Sequence, residues 1–262
     1  MRAFEKVLAR ETWWSVEKGN CRELLGSLPD GSVDHVVTDP PYEAACHTSG
    51  RCVSRGGKLV PAALTFPPMT EEERAHVGAE FGRICRRWCL VFCQVEGLHK
   101  WIQVLEPALK HARACAWVKM DGMPQYSGDK PAAAFEVIEV AHATGKRRVW
   151  NGGGKKGLFK TVFEHNIHDG LRPDHQTPKP VELMMDLIRL FTDPGDIILD
   201  PYSGSGTTGF AAVSLGRRFI GFEMNPKYVK MAKDRIVVAE RGKAFAESAR
   251  HKVGDDSVSK AR

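Results

Sequence analysis

Two kinds of hydrophobic pattern alternate along the chain, and they predict strands and helices in turn. Short apolar runs, several of them rich in β-branched residues, are typical of buried strands. They cover residues 13–16, 33–38, 88–95, 114–119, 135–141, 197–200 and 218–223. Apolar residues at helical spacing, together with capping signals, indicate helices between them. These helices cover residues 21–28, 71–87, 97–110, 181–191, 210–215 and 226–241.

Strands that alternate with helices predict one α/β domain over residues 1–241, with a mostly parallel sheet and helices on both faces. The strand at 135–141 is expected to be antiparallel and near a sheet edge. Residues 144–174 form a small insert, and the polar residues 242–262 predict a flexible tail. The segment 43–68 is long and irregular, which favours a substrate-gripping lid over a solvated loop.

The strand at 33–38 ends in Asp39-Pro40-Pro41-Tyr42. Neither proline can donate to a strand ladder, so Asp39 is expected at the carboxyl end of the strand, where open α/β sheets bind ligands. A carboxylate beside rigid carbonyl groups and an aromatic ring suits an exocyclic amino group on a flat heterocycle. A turn with an ordinary surface aspartate explains this tetrapeptide alone equally well.

A second motif follows the strand at 197–200 and reads Asp200-Pro201-Tyr202-Ser203-Gly204-Ser205-Gly206-Thr207-Thr208. A strand, a glycine-rich turn, a helix and a strand ending in an acid, here Glu223, form the arrangement that binds an adenosine-containing cofactor. The glycines also match a dinucleotide fingerprint, so a nicotinamide dehydrogenase is an alternative. The charge of Asp200 opposes a pyrophosphate and suits the sulfonium group of S-adenosylmethionine.

The net charge is +6, from 38 basic and 32 acidic residues, which permits a polyanionic partner without requiring one. Where the basic residues cluster is more informative. The predicted nucleic-acid-binding residues are Arg51, Arg55 and Lys58 in the segment 43–68, and Lys146, Arg147, Arg148, Lys155 and Lys156 in the glycine-rich insert. Glycine lets the backbone approach phosphates that Lys and Arg neutralise. A charged surface loop is the alternative for both clusters.

Cysteine usage and hydropathy narrow the cellular context. The seven cysteines are odd in number and include no C-x-x-C pair, so we expect reduced, mostly buried thiols and no metal site. No apolar run has the length of a membrane span. Because residues 1–10 also lack a signal-peptide core, we expect a cytoplasmic protein with no membrane partner.

The two motifs together, in this order, resemble those of the amino-methylating DNA methyltransferases of the β class. The resemblance implies a Rossmann-like S-adenosylmethionine-dependent fold with a circularly permuted motif order, and residues 144–174 as target-recognition insert. It implies that Asp39, Pro40, Pro41 and Tyr42 hold the target base. The cofactor-binding residues it implies are Asn20, Thr177, Lys179, Asp200, Tyr202, Gly204, Gly206, Thr207 and Glu223. One departure is Gly19-Asn20, where the family commonly has Gly-Asp.

The implied reaction transfers a methyl group from S-adenosylmethionine to N6 of an adenine flipped out of duplex DNA. An Asp rather than a Ser at the start of the catalytic motif favours adenine as the target base in this family. Methyl transfer to N4 of cytosine is the alternative. No Pro-Cys dipeptide occurs, which argues against the covalent route to 5-methylcytosine. A non-catalytic DNA-binding protein with a decayed fold is a further alternative, and the resemblance suggests a homodimer.

Overall fold

The computed structural model describes residues 2–43, 52–55, 58–61, 67–120, 131, 134–161 and 179–259. The α-helices are α1 (Ala3–Leu8), α2 (Cys21–Leu25), α3 (Glu71–Ile84), α4 (Leu98–Leu105), α5 (Val181–Phe191), α6 (Thr207–Ser214) and α7 (Pro226–Ser259). The strands are β1 (Trp14–Lys18), β2 (His35–Thr38), β3 (Cys52–Arg55), β4 (Lys58–Pro61), β5 (Trp88–Cys93), β6 (Leu109–Lys119), β7 (Phe135–Ala143), β8 (Leu158–Thr161), β9 (Ile197–Asp200) and β10 (Arg218–Glu223).

One large sheet has the strand order β1-β10-β9-β2-β5-β7-β6-β8, and β3 pairs with β4 in a separate hairpin. The first five strands of this sheet, which are β1, β10, β9, β2 and β5, run parallel to one another. β7 runs antiparallel to both β5 and β6, while β8 is parallel to β6. The sheet is therefore mostly parallel, as predicted.

Helices cover both faces because the central strands are apolar on both sides. In β2, Val36 packs into the cluster formed with α1, α2, α3 and α4, whereas Val37 packs into the cluster formed with α5, α6 and α7. Successive side chains of a strand point to opposite faces, so a fully buried strand carries apolar residues at consecutive positions. The predicted layering of helices on both faces is confirmed.

Several predicted boundaries were wrong. The helix expected to reach Lys110 ends at Leu105, because Pro107 has no backbone N–H to continue it, and Leu109 instead begins β6. β7 is antiparallel as predicted but internal, since β6 and β8 lie outside it. β3, β4, β8 and α1 were not predicted. The last helix extends past Arg241 to Ser259, through an alanine-rich stretch that favours helix.

Candidate active site

The site lies where β2 and β9 end side by side. Val36 pairs with Leu199 in register, which brings the residues that follow the two strands together at one edge of the sheet. The hydroxyl of Thr38 donates to the Oδ1 atom of Asp200 at 2.8 Å, across this junction. The prediction that Asp39 lies at the carboxyl end of a strand is confirmed, and the pairing of β2 with β9 brings it beside Asp200.

Asp39 presents one bonded and one free oxygen. Its Oδ2 atom accepts a hydrogen bond from the Nζ atom of Lys179 at 2.5 Å. Its Oδ1 atom is buried and has no hydrogen-bond partner among the described residues. A buried acceptor without a partner is costly, and such atoms concentrate where a ligand completes them. Oδ1 of Asp39 is thus an acceptor that no described residue uses.

Lys179 precedes α5 and reaches into the same site. Its ammonium lies 3.1 Å from the Oε2 atom of Glu136 and 5.5 Å from the ring centre of Tyr42. The rings of Phe92 and Trp117 flank it at 5.1 and 5.6 Å. The resemblance implied cofactor binding for Lys179, whereas the structure places its ammonium against the catalytic motif.

Glu136 connects Tyr42 to two lysines. Its Oε2 atom accepts from the Tyr42 hydroxyl at 2.6 Å, and its Oε1 atom accepts from the Nζ atom of Lys119 at 2.5 Å. Neither Glu136 nor Lys119 was singled out by sequence reasoning. The only signal was a charged residue at the end of each of two predicted strands, which surface strands also show.

Burial and charge act against each other in this cluster. Burial raises the pKa of Asp39 above its usual value, although the charge of Lys179 opposes the shift. Burial would also raise the pKa of Glu136, but Lys179 and Lys119 lower it to about 2. For Lys179, burial favours the neutral amine, and the charges of Asp39 and Glu136 overcome it and raise the pKa. The site therefore holds Glu136 and Lys179 in their charged forms at neutral pH.

Asp200, by contrast, is satisfied within the protein. Its Oδ1 atom accepts from Thr38 and from the backbone N–H of Tyr202 at 3.1 Å, and its Oδ2 atom accepts from the hydroxyl of Thr208 at 2.7 Å. Burial raises the pKa of this carboxyl from 3.8 to about 6. These bonds tie β2, β9 and α6 together, and the cofactor-facing role expected for Asp200 stays a prediction.

The glycine-rich turn brings backbone N–H groups to the carboxylate of Glu223. The N–H of Gly204 donates to its Oε2 atom at 3.0 Å, and that of Asn225 donates to its Oε1 atom at 2.7 Å. Gly204 and Gly206 have φ angles of 50° and 83°, which favour glycine. These bonds fix Glu223, half-buried at the end of β10, with lone pairs left for a further donor.

The other predicted cofactor-binding residues have partners within the chain. The hydroxyl of Thr207 is buried and accepts from Arg235 at 2.7 Å. The hydroxyl of Tyr202 donates to Glu73 at 3.2 Å. The Oδ1 atom of Asn20 caps α2 by accepting from the N–H of Arg22 at 3.0 Å. Thr177 lies outside the described residues.

The predicted nucleic-acid-binding residues fall in different places. Arg55 and Lys58 belong to the β3–β4 hairpin, and Arg51 lies outside the described residues. The N–H of Met69 donates to the carbonyl of Tyr42 at 3.1 Å, so the segment that carries the hairpin leaves and returns beside the catalytic motif. The lid role expected for this segment stays a prediction.

The residues Lys146–Arg148 lie at the opposite end of the strands from Asp39. It follows the carboxyl end of β7, and the indole N–H of Trp88, the first residue of β5, donates to the carbonyl of Val149 at 2.7 Å. Five residue steps along β5 separate Trp88 from the catalytic edge, or about 17 Å. Lys155 and Lys156 come just before the outermost strand β8, at a level between the two ends of the neighbouring strand β6. The structure thus does not bring the insert's basic residues to the catalytic motif.

Comparison with known proteins identifies the family. The model of the DNA methylase family for N6 and N4 methyltransferases matches residues 33–234, which include both motifs and the strands that carry them. The chain belongs to this DNA methylase family.

Among the residues that the structure describes, no His, Cys, Asp and Glu cluster suits a metal ion, and no helix is long and apolar enough to cross a membrane.

This DNA methylase is similar to individual relatives in sequence and to solved structures in fold. The Type II methyltransferase M.HinfI of Haemophilus influenzae is 25% identical over 253 residues, 85% of this chain and 68% of the relative. A crystal structure of an M1.HpyAVI–SAM complex superposes with a TM-score of 0.63 at 24% identity, covering 85% of this chain and 99% of that one. The cytosine-N4-specific PvuII DNA methyltransferase has a TM-score of 0.62 at 20% identity, with 86% of each chain covered.

Proposed function

We propose that this DNA methylase transfers a methyl group from S-adenosylmethionine to N6 of adenine in duplex DNA. The observation that carries the proposal is the buried Oδ1 atom of Asp39, which has no partner among the described residues. Lys179 contacts both the other oxygen of Asp39 and the ring of Tyr42, so the same site offers an acceptor and an aromatic ring to an amino group on a planar base. A dehydrogenase would leave this arrangement without a use.

The residues of the second motif fit the proposed cofactor. Glu223 is held by two backbone N–H groups and can still accept from the two hydroxyls of a ribose. The hydroxyl of Ser203 is buried in the same turn and has no hydrogen-bond partner among the described residues. S-adenosylmethionine supplies, when bound, an electrophilic methyl group on a sulfonium centre. We assign Glu223 and the turn Ser203–Gly206 to its binding.

The catalytic motif would prepare the amino nitrogen for attack. The lone pair of an aromatic amine is delocalised into the ring, so the nitrogen is a poor nucleophile. Hydrogen bonds from its two N–H groups to Oδ1 of Asp39 and to the carbonyl of Pro40 would draw that pair back to nitrogen. Tyr42 would stack on the base, and Pro41 restricts the backbone between them. Fixed acceptors and proximity account for the acceleration.

Access to a stacked base requires that the enzyme flip it out of the duplex. We propose that Arg51, Arg55 and Lys58 contact the DNA backbone near the flipped base, because their segment begins and ends beside Tyr42. Lys155 and Lys156 would contact phosphates further along the duplex. For Lys146–Arg148 the distance along the sheet supports only a peripheral contact. A homodimer stays a prediction.

N4 of cytosine is the second candidate acceptor. The cytosine-N4-specific PvuII enzyme shares the fold, and a free carboxylate oxygen can accept from either amino group. The preference for adenine rests on Asp39 standing first in the catalytic motif.

Product analysis decides between the two bases. Purified protein is incubated with unmethylated genomic DNA, which offers every short recognition sequence, and with S-adenosylmethionine carrying a labelled methyl group. The DNA is then digested to nucleosides. We expect the label in N6-methyladenine, and none in a parallel reaction with Asp39→Ala. Label in N4-methylcytosine alone would overturn the adenine assignment, and no label on DNA would overturn the proposed reaction.

A further inference from the structure

We propose that Glu136 is a positioning residue for methyl transfer: it holds Tyr42 and Lys179 so that one oxygen of Asp39 is fixed and the other stays free for the target amino group. This inference rests on the proposed function of the site. Glu136 belongs to neither sequence motif.

The backbone of Glu136 is held rigidly. It is the second residue of β7, which lies between β5 and β6 in the sheet and pairs with both. Glu136 itself is in register with Trp117 of β6. Because β7 runs antiparallel, its amino-terminal end lies at the edge where β2 and β5 have their carboxyl ends. A side chain at this position reaches the catalytic motif from a fixed platform.

The carboxylate of Glu136 is itself fixed by three donors. Lys119 binds one of its oxygens, while the hydroxyl of Tyr42 and the ammonium of Lys179 share the other. Its side chain is only 14% exposed. Two cations compensate the buried negative charge, so Glu136 stays ionised.

Glu136 thereby determines which oxygen of Asp39 is occupied. Lys179 lies between two carboxylates and bonds only Oδ2 of Asp39, while Oδ1 has no partner among the described residues. Without Glu136, the ammonium of Lys179 is free to settle between both oxygens of Asp39. The hydroxyl of Tyr42 would lose its acceptor at the same time. The site would then lose its free acceptor and the fixed orientation of its ring.

The charged and titratable groups around Asp39 give this proposal a pH signature. Among the described residues, Lys179 before α5, Tyr42 after β2, Glu136 on β7 and Asp200 on β9 act on Asp39 directly. Lys119 on β6 acts on Glu136, and Cys93 on β5 acts on Tyr42. The negative charge of Glu136 raises the pKa of Asp39 and also that of Lys179. Removing that charge must therefore lower both values.

The variant Glu136→Gln keeps the shape of the side chain and removes its charge. We expect kcat/KM at the optimum to fall about 10- to 100-fold, mainly through kcat, because the reacting groups lose their alignment. Both limbs of the kcat/KM profile should move to lower pH, by about one unit for a charge this close. A merely structural role would lower the rate at every pH without moving the limbs.

Glu139→Gln is the matched control. Glu139 lies on the same strand, is fully buried and is bonded to His111 rather than to the catalytic motif. We expect Glu139→Gln to leave the pH limbs of methyl transfer where they are in the wild type. Limbs that move equally in both variants would contradict the proposal.

A direct titration makes the test independent of turnover. Protein labelled with ¹³C at the aspartate carboxyl carbons is titrated by NMR, and the Asp39 signal is assigned with Asp39→Asn. The midpoint of Asp39 should fall in Glu136→Gln, and an unmoved midpoint would overturn the proposal. A wild type that methylates no DNA would overturn the proposed function, while this midpoint would still decide the role of Glu136.

Glu136→Asp separates charge from geometry, and it serves also if Glu136→Gln fails to fold. It keeps the charge but shortens the side chain by one methylene, so the carboxylate cannot reach Tyr42 and both lysines together. We expect kcat to fall at least about tenfold, with the Asp39 midpoint close to the wild-type value. A kcat equal to that of the wild type would contradict the positioning role.

Discussion

Two aspartates follow the same pattern in the sequence and have different hydrogen-bond partners in the structure. Asp39 and Asp200 each end a buried parallel strand, each precede a proline, and lie on neighbouring strands. Asp200 is 2% exposed, and hydroxyl and backbone donors of the chain occupy both its oxygens. Asp39 has one oxygen on Lys179 and a second that no described residue occupies. The comparison predicts that a strand-end carboxylate is functional when its neighbours leave one of its oxygens without a donor.

The strongest way to break this comparison is to remove the cation from Asp39. In Lys179→Met, we expect kcat to fall about 10²- to 10³-fold, because two carboxylates are left facing each other in a buried site. The charge of Lys179 lowers the pKa of Asp39, so its loss should raise that pKa and move the acid limb of kcat/KM to higher pH. Lys119→Met, on the far side of Glu136, should shift the limb less. An unchanged limb in Lys179→Met would contradict the account.

On the other side of the comparison, Asp200 should affect stability. Its folded-state pKa of about 6 lies above the usual 3.8, so its contribution is fully present below about pH 4 and is lost as the pH rises through 6. The stability of the wild type relative to Asp200→Asn should therefore fall by about 2–3 kcal/mol between pH 4 and pH 7. Urea unfolding at both pH values measures this difference. A difference that is constant with pH would contradict the assignment.

Glycine in the turn after Asp200 gives a structural test of the same region. Gly206 has a φ of 83°, and a Cβ atom there would lie 2.6 Å from the Cα atom of Ala232. Gly206→Ala should cost about 2–4 kcal/mol, from backbone strain and overpacking together. Gly154→Ala is the control, since a Cβ atom at Gly154 would meet no described atom within 4 Å. Equal unfolding midpoints for the two variants would contradict the close packing of this turn.

The smallest effects are expected from the basic clusters. The double variant Arg55→Ala with Lys58→Ala should weaken DNA binding and reduce the slope of log K against log salt by about one for each phosphate that the variant no longer neutralises. A triple alanine variant at Lys146–Arg148, about 17 Å along the sheet from the catalytic edge, should change DNA affinity less than about threefold. Binding titrations at several salt concentrations measure both. A larger loss of affinity in the triple variant would move the DNA path to that edge.

The sequence was sufficient for whatever depends on one strand end or one turn. The position of Asp39 at a strand end followed from the prolines after it, and Glu223 followed from the βαβ pattern. It was not sufficient for contacts that form only when distant strands pair. Glu136 and Lys119 meet through the register of β6 with β7, which no local pattern encodes. The hydrogen bonds of Asp200 were not predicted, because its donors Thr38 and Thr208 come from different segments.

The single-turnover rate of methyl transfer, compared between Asp39→Asn and Asp200→Asn, tests the central claim most directly. Enzyme in excess over DNA removes product release from the measurement, and the folded fraction of each variant is determined separately. We expect Asp39→Asn to lose about 10³-fold or more, since an amide offers the amino group a weaker acceptor. Folded Asp200→Asn should stay within about tenfold of the wild type, because Asp200 touches no reacting group. Equal losses in the two variants, or a nearly active Asp39→Asn, would contradict the account.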